Sequence, residues 1–383
     1  ITHLKRTQKL PADFEGIPSH GALSVTVPGT VDGWFALHER FGSLAMRDVL
    51  APTIDYARNG FPVSPVIAYY FERNLARFTQ VASMIEQLDN AKQTYFKGDK
   101  APAAGQLFRN PDLADTLALL AKEGRSAFYS GRIAQTIDAY MKRIGGDLRL
   151  ADFQAHRGQW VTPLGVDYKG YTLYELPPNG QGLAALMMLS ILKNVDLSQW
   201  ERGSPEVMHY MVEAKRLAFA DMAASFADPD FSDTPIQTLI SDEYGKQQFQ
   251  RIDSERAADD YGPSELLLEG EGDTTYLTVA DASGMMVSLI QSNYRGMGSG
   301  LVPDKLGFML QDRGELFALT EGHPNVYAPG KRPFQTIIPA FLMKGKTPIM
   351  SFGLMGGGMQ PQGHVQVLIN WLDYGMNIQA AGD

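Results

Sequence analysis

The sequence lacks several features that would indicate particular classes of protein. None of its 383 residues is cysteine, which excludes disulfide bonds, thiolate metal sites and a cysteine nucleophile, and is compatible with the cytosol or with an export compartment. No run approaches about eighteen consecutive apolar residues, so the sequence predicts no transmembrane helix. With 34 Lys and Arg against 43 Asp and Glu, the net charge of -9 offers no basic surface for nucleic acid. A small molecule or a peptide is therefore the favoured partner.

The common signatures of metal and nucleotide chemistry are missing as well. The 7 histidines include no HExxH arrangement and no pair at a spacing typical of zinc, and His209 and His364 fall in predicted helices, which favours structural roles. Neither a GxSxG elbow nor a P-loop occurs, and "GMGSG" at 296–300 is not followed by a predicted helix. The sequence therefore predicts neither a metal site nor a nucleotide cofactor.

Two patterns follow each other along the chain. From about residue 33 to 260, apolar residues recur at three- and four-residue steps, which predicts amphipathic helices in "MRDVLAPTIDYARNG", "PDLADTLALLAKEG", "SGRIAQTIDAYMKRIGG", "GLAALMMLSILKN" and "SPEVMHYMVEAKRLAFADMAAS". A hairpin, "WVTPLGVDYKGYTLYEL", interrupts them, and residues 253–273 are the best candidate for an exposed linker. Strands are predicted over 274–281, 285–291, "FQTIIPAFLMK" and "PIMSFGL", before a closing helix "QPQGHVQVLINWLDYG". Helices followed by antiparallel strands predict an α+β fold.

The stretch "EGDTTYLTVADASGMMVSL", residues 271–289, places two threonines at the start of a predicted strand, directly after the acidic linker. A threonine hydroxyl is a poor nucleophile that needs an adjacent base, and the α-amino group of the same residue supplies one when that residue is a chain terminus. With a reference pKa of about 7.7–8.0, this amine is partly unprotonated near neutral pH. Two interpretations stay open from the local sequence: either Thr274 becomes such a terminus after cleavage, or Thr274 and Thr275 open a strand because threonine has high β-propensity.

The glycine run in "MGGGMQ", residues 355–360, is a second candidate site, because it lies between a predicted strand and a predicted helix. Gly356, Gly357 and Gly358 there would expose backbone N–H groups at the helix N terminus, where an anionic oxygen binds. The alternative is an ordinary tight turn from strand to helix, and the local sequence does not decide between the two.

Segments along nearly the whole chain resemble, in family order, those of the γ-glutamyltransferase (γ-glutamyltranspeptidase) family. They are "VPGTVDGW", "PPNGQG", "HYMVEAKRLAFADM", "TTYLTVADASGMMVSL", "GSG" at 298–300, "KRPFQTIIP", "GGGMQPQGH" and "NWLDYGMN". The resemblance implies an N-terminal nucleophile hydrolase with a four-layer αββα sandwich, built from a large and a small subunit of one precursor. It implies that residues 1–273 belong to the large subunit and 274–383 to the small one. Each part is expected to be incomplete at its outer end, and both to lie in one structural domain.

The resemblance also implies roles for particular residues. Thr274 falls on the nucleophile, and Asp273–Thr274 is the scissile bond of self-processing, cut when the Thr274 hydroxyl attacks the preceding carbonyl. Gly356 and Gly357 fall on the pair whose backbone N–H groups form the oxyanion hole. Ser292 falls where the family has a threonine that hydrogen-bonds the nucleophile, and this substitution keeps the hydroxyl.

Five positions around the implied substrate pocket depart from the family pattern. Tyr294 replaces an asparagine near the nucleophile, while Gln335 and Thr336 replace a serine pair that binds the substrate carboxylate. Leu316 stands where an aspartate pairs with the α-amino group of the substrate, and Arg313 replaces a nearby glutamine. These changes resemble the acylase-like branch, which includes proteins named cephalosporin acylases, and they bear on γ-glutamyl specificity more than on the chemistry.

The resemblance therefore implies a self-processed amidohydrolase or acyltransferase without a cofactor, which passes the acyl group of a small amide from Thr274 to water or an amine. Glutathione-like γ-glutamyl amides are the first substrate class, and glutaryl or other side-chain amides are the second. Glu315 is expected to point away from Leu316 on a strand-like stretch. The alternatives are a cephalosporin or glutaryl acylase and an uncut, non-catalytic binding protein of the same fold. Because the sequence starts at Ile1 without a signal-peptide pattern, we expect a trimmed or incomplete product, and compartment and oligomeric state stay open.

Overall fold

The computed structural model of the chain describes residues 16–262 and 272–383. These residues lie in two compact units. We call Gly16–Trp160 with Asn293–Glu315 the helical unit, and Val161–Ser292 with Leu316–Asp383 the mixed unit. These two units are not the predicted large and small subunits, which would be divided by cleavage between residues 273 and 274. That division stays a prediction.

Helices dominate the helical unit: α1 (Thr30–Phe41), α2 (Met46–Asn59), α3 (Pro65–Gln80), α4 (Asp89–Tyr95), α5 (Pro111–Glu123), α6 (Arg125–Tyr129), α7 (Arg132–Ile144) and α8 (Leu150–Ala155). Two short strands, β1 (Phe61–Pro62) and β2 (Leu107–Phe108), pair antiparallel. The helices predicted at α2, α5 and α7 are confirmed. In α7, Ile133, Ile137 and Met141 follow each other at four-residue steps and are each 0% exposed, because they lie on the side of the helix that faces the core.

His20 is a buried histidine of the helical unit. It is 1% exposed, its Nδ1 lies 2.8 Å from the hydroxyl of Ser19, and its ring meets that of Phe78 edge-on. Burial first, and then the positive charges of Arg77 and Arg295, lower the pKa of His20 from 6.5 to about 4. The imidazole is therefore neutral in the folded protein at neutral pH.

We expect the protein to lose stability as the pH falls from 6.5 to about 4, because His20 takes up a proton in the unfolded chain and not in the folded one over this window. One such group contributes a slope of at most about 1.4 kcal/mol per pH unit. In His20→Gln this part of the slope should disappear, since glutamine does not titrate. Urea unfolding at closely spaced pH values measures the difference, and equal slopes in both proteins would contradict the expectation.

The mixed unit combines helices with antiparallel strands: β3 (Leu164–Tyr168), β4 (Tyr171–Glu175), α9 (Gly182–Leu192), α10 (Pro205–Ser225), α11 (Ile236–Leu239), α12 (Asp242–Phe249), β5 (Gly272–Ala280), β6 (Met286–Arg295), β7 (Ala340–Lys344), β8 (Thr347–Phe352), α13 (Gln360–Leu372) and α14 (Ile378–Gly382). A four-stranded sheet has the order β3-β4-β7-β8, and β5 and β6 form a separate two-stranded sheet. The fold is therefore α+β, as predicted. In the ranges that the structure describes, no helix is both long and apolar enough to cross a membrane.

Helix α9 lies at the centre of the core of the mixed unit. Every residue from Gly182 to Leu192 is buried, and the helix contacts β3, β4, α10, α12 and α13. The predicted helix is confirmed, but its predicted amphipathic character is wrong. A helix with neighbours on all sides has no solvent face, so its sequence is apolar all round.

The predicted strands are confirmed, but the one in "FQTIIPAFLMK" begins later than predicted. The β3–β4 hairpin turns at Lys169 and Gly170, and β5 and β6 follow each other as predicted. In "FQTIIPAFLMK" the strand begins only at Ala340, because the preceding N–H groups bond elsewhere: Gln335 N to Asn179 O and Ile338 N to Gln360 Oε1, both at 3.1 Å. Pro339 has no N–H for a ladder.

The predicted linker, residues 253–273, is exposed over most of 253–260. It is nevertheless attached to α10, because Glu213 Oε2 accepts hydrogen bonds from Ala258 N at 3.1 Å and from Tyr261 Oη at 2.5 Å. Residues 263–271 of the predicted linker lie outside the described residues.

Candidate active site

Thr274 lies near the start of β5 with its side chain buried. It is 4% exposed, whereas Thr275 is exposed, as expected for neighbours on opposite faces of a strand. The hydroxyl of Thr274 donates a hydrogen bond to Ser292 Oγ on β6 at 3.1 Å. Because β5 begins at Gly272, the Asp273–Thr274 bond lies within the strand. The fold thus brings together the predicted nucleophile and its predicted hydroxyl partner, whose roles stay predictions.

The glycine run forms a tight turn that leads into α13. Gly356 and Gly357 have φ of +119° and +57°, values that side-chain-bearing residues rarely adopt. A short 3-10 turn covers Gly357–Met359, and the Gly356 carbonyl accepts a hydrogen bond from Met359 N at 3.0 Å. Strand β5, which carries Thr274, contacts this turn. The turn and the predicted nucleophile strand are therefore neighbours in the mixed unit, and the role of the two glycines in binding an oxyanion stays a prediction.

Gln335 and Thr336, two further predicted substrate-binding residues, lie in the segment before β7. Thr336 is 1% exposed, and the half-buried Gln335 accepts a hydrogen bond on Oε1 from Ile337 N at 2.7 Å. The carbonyl of Thr336 accepts a hydrogen bond from Gln181 Nε2 at 2.6 Å, and the same nitrogen donates to the carbonyl of Gly357 at 2.8 Å. Gln181 lies in the family-like segment "PPNGQG", but the local sequence does not indicate its partners, which are 155 and 176 residues away.

A buried pair of titratable groups joins β4 to α13. His364 Nδ1 lies 2.5 Å from Glu175 Oε1, and both side chains are 0% exposed. Burial raises the pKa of the Glu175 carboxyl, although His364 opposes that shift. A link between two elements is a structural role, as the sequence predicts for His364, while His209 on α10 bonds the carbonyl of Asp253 at 2.7 Å. Among the residues that the structure describes, no group of three or more His, Asp and Glu side chains is placed to hold a metal ion.

Tyr294 and Arg313, two predicted substrate-binding residues, lie in the helical unit and contact each other. Tyr294 is 3% exposed and has a φ of +80°. The guanidinium carbons of Arg295 and Arg313 each lie 5.5 Å from the centroid of its ring, which is a cation–π arrangement. Burial raises the pKa of Tyr294 to about 12, so its phenol is neutral at neutral pH.

Arg313 keeps its charge although it is buried. Burial lowers the pKa of its guanidinium to about 10, against the opposing effect of Asp312, so the group is still cationic at neutral pH. Asp312 is 0% exposed, and burial raises the pKa of its carboxyl well above the usual range. The Asp312 Oδ1 accepts a hydrogen bond from the backbone N–H of Arg295 at 3.1 Å. Arg313 is thus a buried cation that lies beside Tyr294 and Asp312.

Residues Arg313–Leu316 form a 3-10 turn, so the prediction of a strand-like stretch is wrong. The cause is local hydrogen bonding, since Glu315 N donates back to the Asp312 carbonyl at 3.3 Å. Glu315 forms an ion pair with Arg295, with 2.5 Å between Oε2 and Nε, and the side chain of Leu316 packs against the core of the mixed unit. The carboxylate of Glu315 is therefore held by its ion pair with Arg295, and not turned away from Leu316 by strand alternation.

Comparison with known proteins gives consistent matches over the chain. A family model described as Gamma-glutamyltranspeptidase matches residues 4–383. The glutathione hydrolase-like YwrD proenzyme of Bacillus subtilis is 40% identical over 366 residues, which cover 95% of this chain and 67% of that protein. The oxamate amidohydrolase proenzyme of Klebsiella pneumoniae is 34% identical over 372 residues, with 95% and 67% covered. The chain thus spans about two thirds of the length of these relatives.

A solved structure gives the same picture in three dimensions. The cephalosporin acylase from Bacillus halodurans matches with a TM-score of 0.89 at 37% sequence identity, over 98% of this chain and 68% of that one. At this level of identity, the similarity extends over both sequence and fold.

Proposed function

Because the chain belongs to the gamma-glutamyltranspeptidase family, we propose that it cuts itself before Thr274 and then acts as an N-terminal threonine amidohydrolase and acyltransferase. Proenzymes of this family are N-terminal nucleophile hydrolases, and the relatives named above are proenzymes. The observation that carries the proposal is the hydrogen bond from the buried Thr274 hydroxyl to Ser292, in a strand that contacts the glycine turn. The proposal includes a large subunit ending at Asp273, a small subunit starting at Thr274, and a four-layer αββα sandwich as the finer description of the α+β fold.

Self-processing uses the Thr274 hydroxyl on its own preceding carbonyl. The oxygen attacks the carbonyl carbon of Asp273, its proton passes to the nitrogen of Thr274, the C–N bond breaks, and the acyl group moves from nitrogen to oxygen. Water then hydrolyses the ester, which leaves a carboxylate on Asp273 and a free α-amino group on Thr274. The hydrogen bond to Ser292 orients the attacking hydroxyl in the uncut chain.

Turnover uses the amine that processing has released. The α-amino group of Thr274 takes the proton from its own hydroxyl, the oxygen attacks the amide carbonyl of the substrate, and the proton passes to the leaving amine. The N–H groups of Gly356 and Gly357 stabilise the negative oxygen of the intermediate. Water or an amine then attacks the ester on Thr274, so the products are an acid or a new amide, and no cofactor takes part in any step.

Measurement of the intact mass tests the proposal first. We expect two fragments separated before Thr274, together with release of amine from a γ-glutamyl or glutaryl amide. One uncut mass and no amide hydrolysis would instead favour a non-catalytic binding protein.

The residues in and around the 3-10 turn favour acyl donors without an α-amino group. The α-ammonium group of a γ-glutamyl donor needs a carboxylate partner in a partly desolvated pocket, and Leu316 supplies none. Arg313, in the same turn, is a cation that would repel this ammonium group, and Glu315 is already paired with Arg295. Oxamate, which occurs in the name of one similar protein, fits this direction, because it carries no ammonium group. We therefore propose that glutaryl-type amides are better donors than γ-glutamyl amides.

Leu316→Asp is expected to shift the preference toward γ-glutamyl donors by about tenfold or more, because it restores a carboxylate for the ammonium group. The measurement compares kcat/KM for matched γ-glutamyl and glutaryl anilides, which differ only in the α-amino group. Leu316→Asn has nearly the same shape without the charge, so it serves as the control and should not give the shift. A wild-type preference for γ-glutamyl of tenfold or more, or equal ratios in the two variants, would refute this specificity.

A further inference from the structure

Gln181 connects two segments of the proposed site through one side chain. It is 0% exposed and directly precedes α9, the helix that is buried on all sides. Its Nε2 donates to the carbonyl of Thr336 at 2.6 Å and to the carbonyl of Gly357 at 2.8 Å. Thr336 lies in the segment before β7, and Gly357 lies in the glycine turn. A residue at the start of the central helix thus links these two segments.

The chemistry of the contact requires an amide. A side-chain NH₂ group has two hydrogens, and here each one meets a carbonyl oxygen. The reversed amide would place Oε1 against two carbonyl oxygens, as would the carboxylate of a glutamate, and both arrangements are repulsive. A methionine has a similar volume but no N–H to donate. Position 181 therefore needs a side chain that donates two hydrogen bonds, and not merely one of similar size.

Further hydrogen bonds fix the same two segments. Gln360, the first residue of α13, accepts a hydrogen bond on Oε1 from Ile338 N at 3.1 Å, and thus joins the C-terminal side of the glycine turn to the segment before β7. The carbonyl of Gly356 is bonded to Met359 N at 3.0 Å. Since Gln181 bonds the next carbonyl, that of Gly357, two successive peptide groups of the turn have fixed orientations. The N–H of Gly357 belongs to the first of these groups, which Met359 holds. Gln181 holds the adjoining group and so acts on the Gly357 N–H through the next peptide of the same turn.

We propose that Gln181 is a positioning residue, which holds the glycine turn and the Gln335–Thr336 segment in the arrangement that the reaction needs. The inference rests on the proposed function, in which Gly357 N–H stabilises the oxyanion. An N–H that points away from the developing oxyanion costs transition-state stabilisation and leaves ground-state binding largely unchanged. Loss of Gln181 should therefore lower kcat more than it raises KM.

The test compares Gln181→Met and Gln181→Glu with wild type on one glutaryl anilide, in protein whose processing has been confirmed by intact mass. We expect kcat of Gln181→Met to fall about tenfold or more, with KM within about threefold of wild type. This loss is as large as or larger than that from one hydrogen bond and smaller than the roughly hundredfold loss when a reacting group is misplaced by about 1 Å. In Gln181→Glu, the buried carboxyl regains one donor when it is protonated, so its kcat relative to wild type should rise as the pH is lowered. Gln181→Met should show no such rise.

Gln248→Met is the matched control, because Gln248 is also buried in the mixed unit, on α12, and bonds Arg251 there. It should leave kcat unchanged. A processed and folded Gln181→Met with wild-type kcat would overturn the positioning role, as would an equal loss in the control. Hydrogen exchange of peptides covering 333–340 and 353–362 gives a readout independent of activity and should be faster in Gln181→Met alone. If wild type itself is uncut and inactive, the proposed function has failed, whereas equal exchange in wild type and Gln181→Met refutes the role of Gln181.

Discussion

Replacing Thr274 by alanine is expected to abolish both self-processing and turnover, because the same hydroxyl attacks the Asp273 carbonyl and the substrate amide. The loss of kcat/KM should be at least about 10⁴-fold, the scale for removal of a nucleophile that acts with its base as a unit. The fold should persist, since the buried side chain loses its hydrogen bond to Ser292 at a cost of about 1 kcal/mol. Intact mass, amide hydrolysis and thermal unfolding together measure the three effects.

Thr275→Ala is the control that the chain itself offers. Thr275 is the adjacent residue and has the same side chain, but it is exposed on the other face of β5. Its alanine variant should be processed and active. If Thr274→Ala still yields two fragments of the wild-type masses, or if both variants lose activity equally, Thr274 is not the nucleophile.

Replacing Gly357 by valine is expected to lower turnover by roughly a hundredfold or more, the scale for loss of one oxyanion donor. The φ of +57° at Gly357 is strained for any residue with a Cβ, and most of all for a β-branched one. Valine would therefore move the turn and re-orient the N–H groups of Gly356 and Gly357. Steady-state kinetics of the processed variant measure the effect, provided that its unfolding transition is still cooperative.

Gly345→Val separates backbone strain from loss of the oxyanion site. Gly345 has a nearly equal φ of +58° and lies in the β7–β8 turn, where an added Cβ would meet nothing within 4 Å. Both variants should lose about 1–2 kcal/mol of stability from strain, but only Gly357→Val should lose turnover. Wild-type kinetics in a folded Gly357→Val would mean that the glycines form an ordinary turn.

The regular elements could be predicted because their signals are local. The apolar period of α7 and the alternation of the β3–β4 hairpin lie within a few residues of each other in sequence, and they reflect one buried face. The prediction was wrong where a neighbour distant in sequence decides the structure. Helix α9 is apolar all round because other elements surround it, and the strand at "FQTIIPAFLMK" is shortened by hydrogen bonds to Asn179 and Gln360. The turn Arg313–Leu316 was missed for a local reason, because a 3-10 turn of 4 residues is too short to show a period in the sequence.

The sequence by itself determined the family, the helices and hairpins, and the candidate residues Thr274, Ser292, Gly356 and Gly357, because motifs, periods and residue types are properties of the chain. Only the tertiary structure decided which of these groups meet. It places the Thr274 hydroxyl against Ser292, pairs Glu315 with Arg295, and brings Gln181 to two carbonyls that lie 155 and 176 residues away. The physical reason is that a hydrogen bond or ion pair needs two groups within about 3 Å. Separation along the chain does not set that distance, which results from burying apolar side chains in the core of each unit.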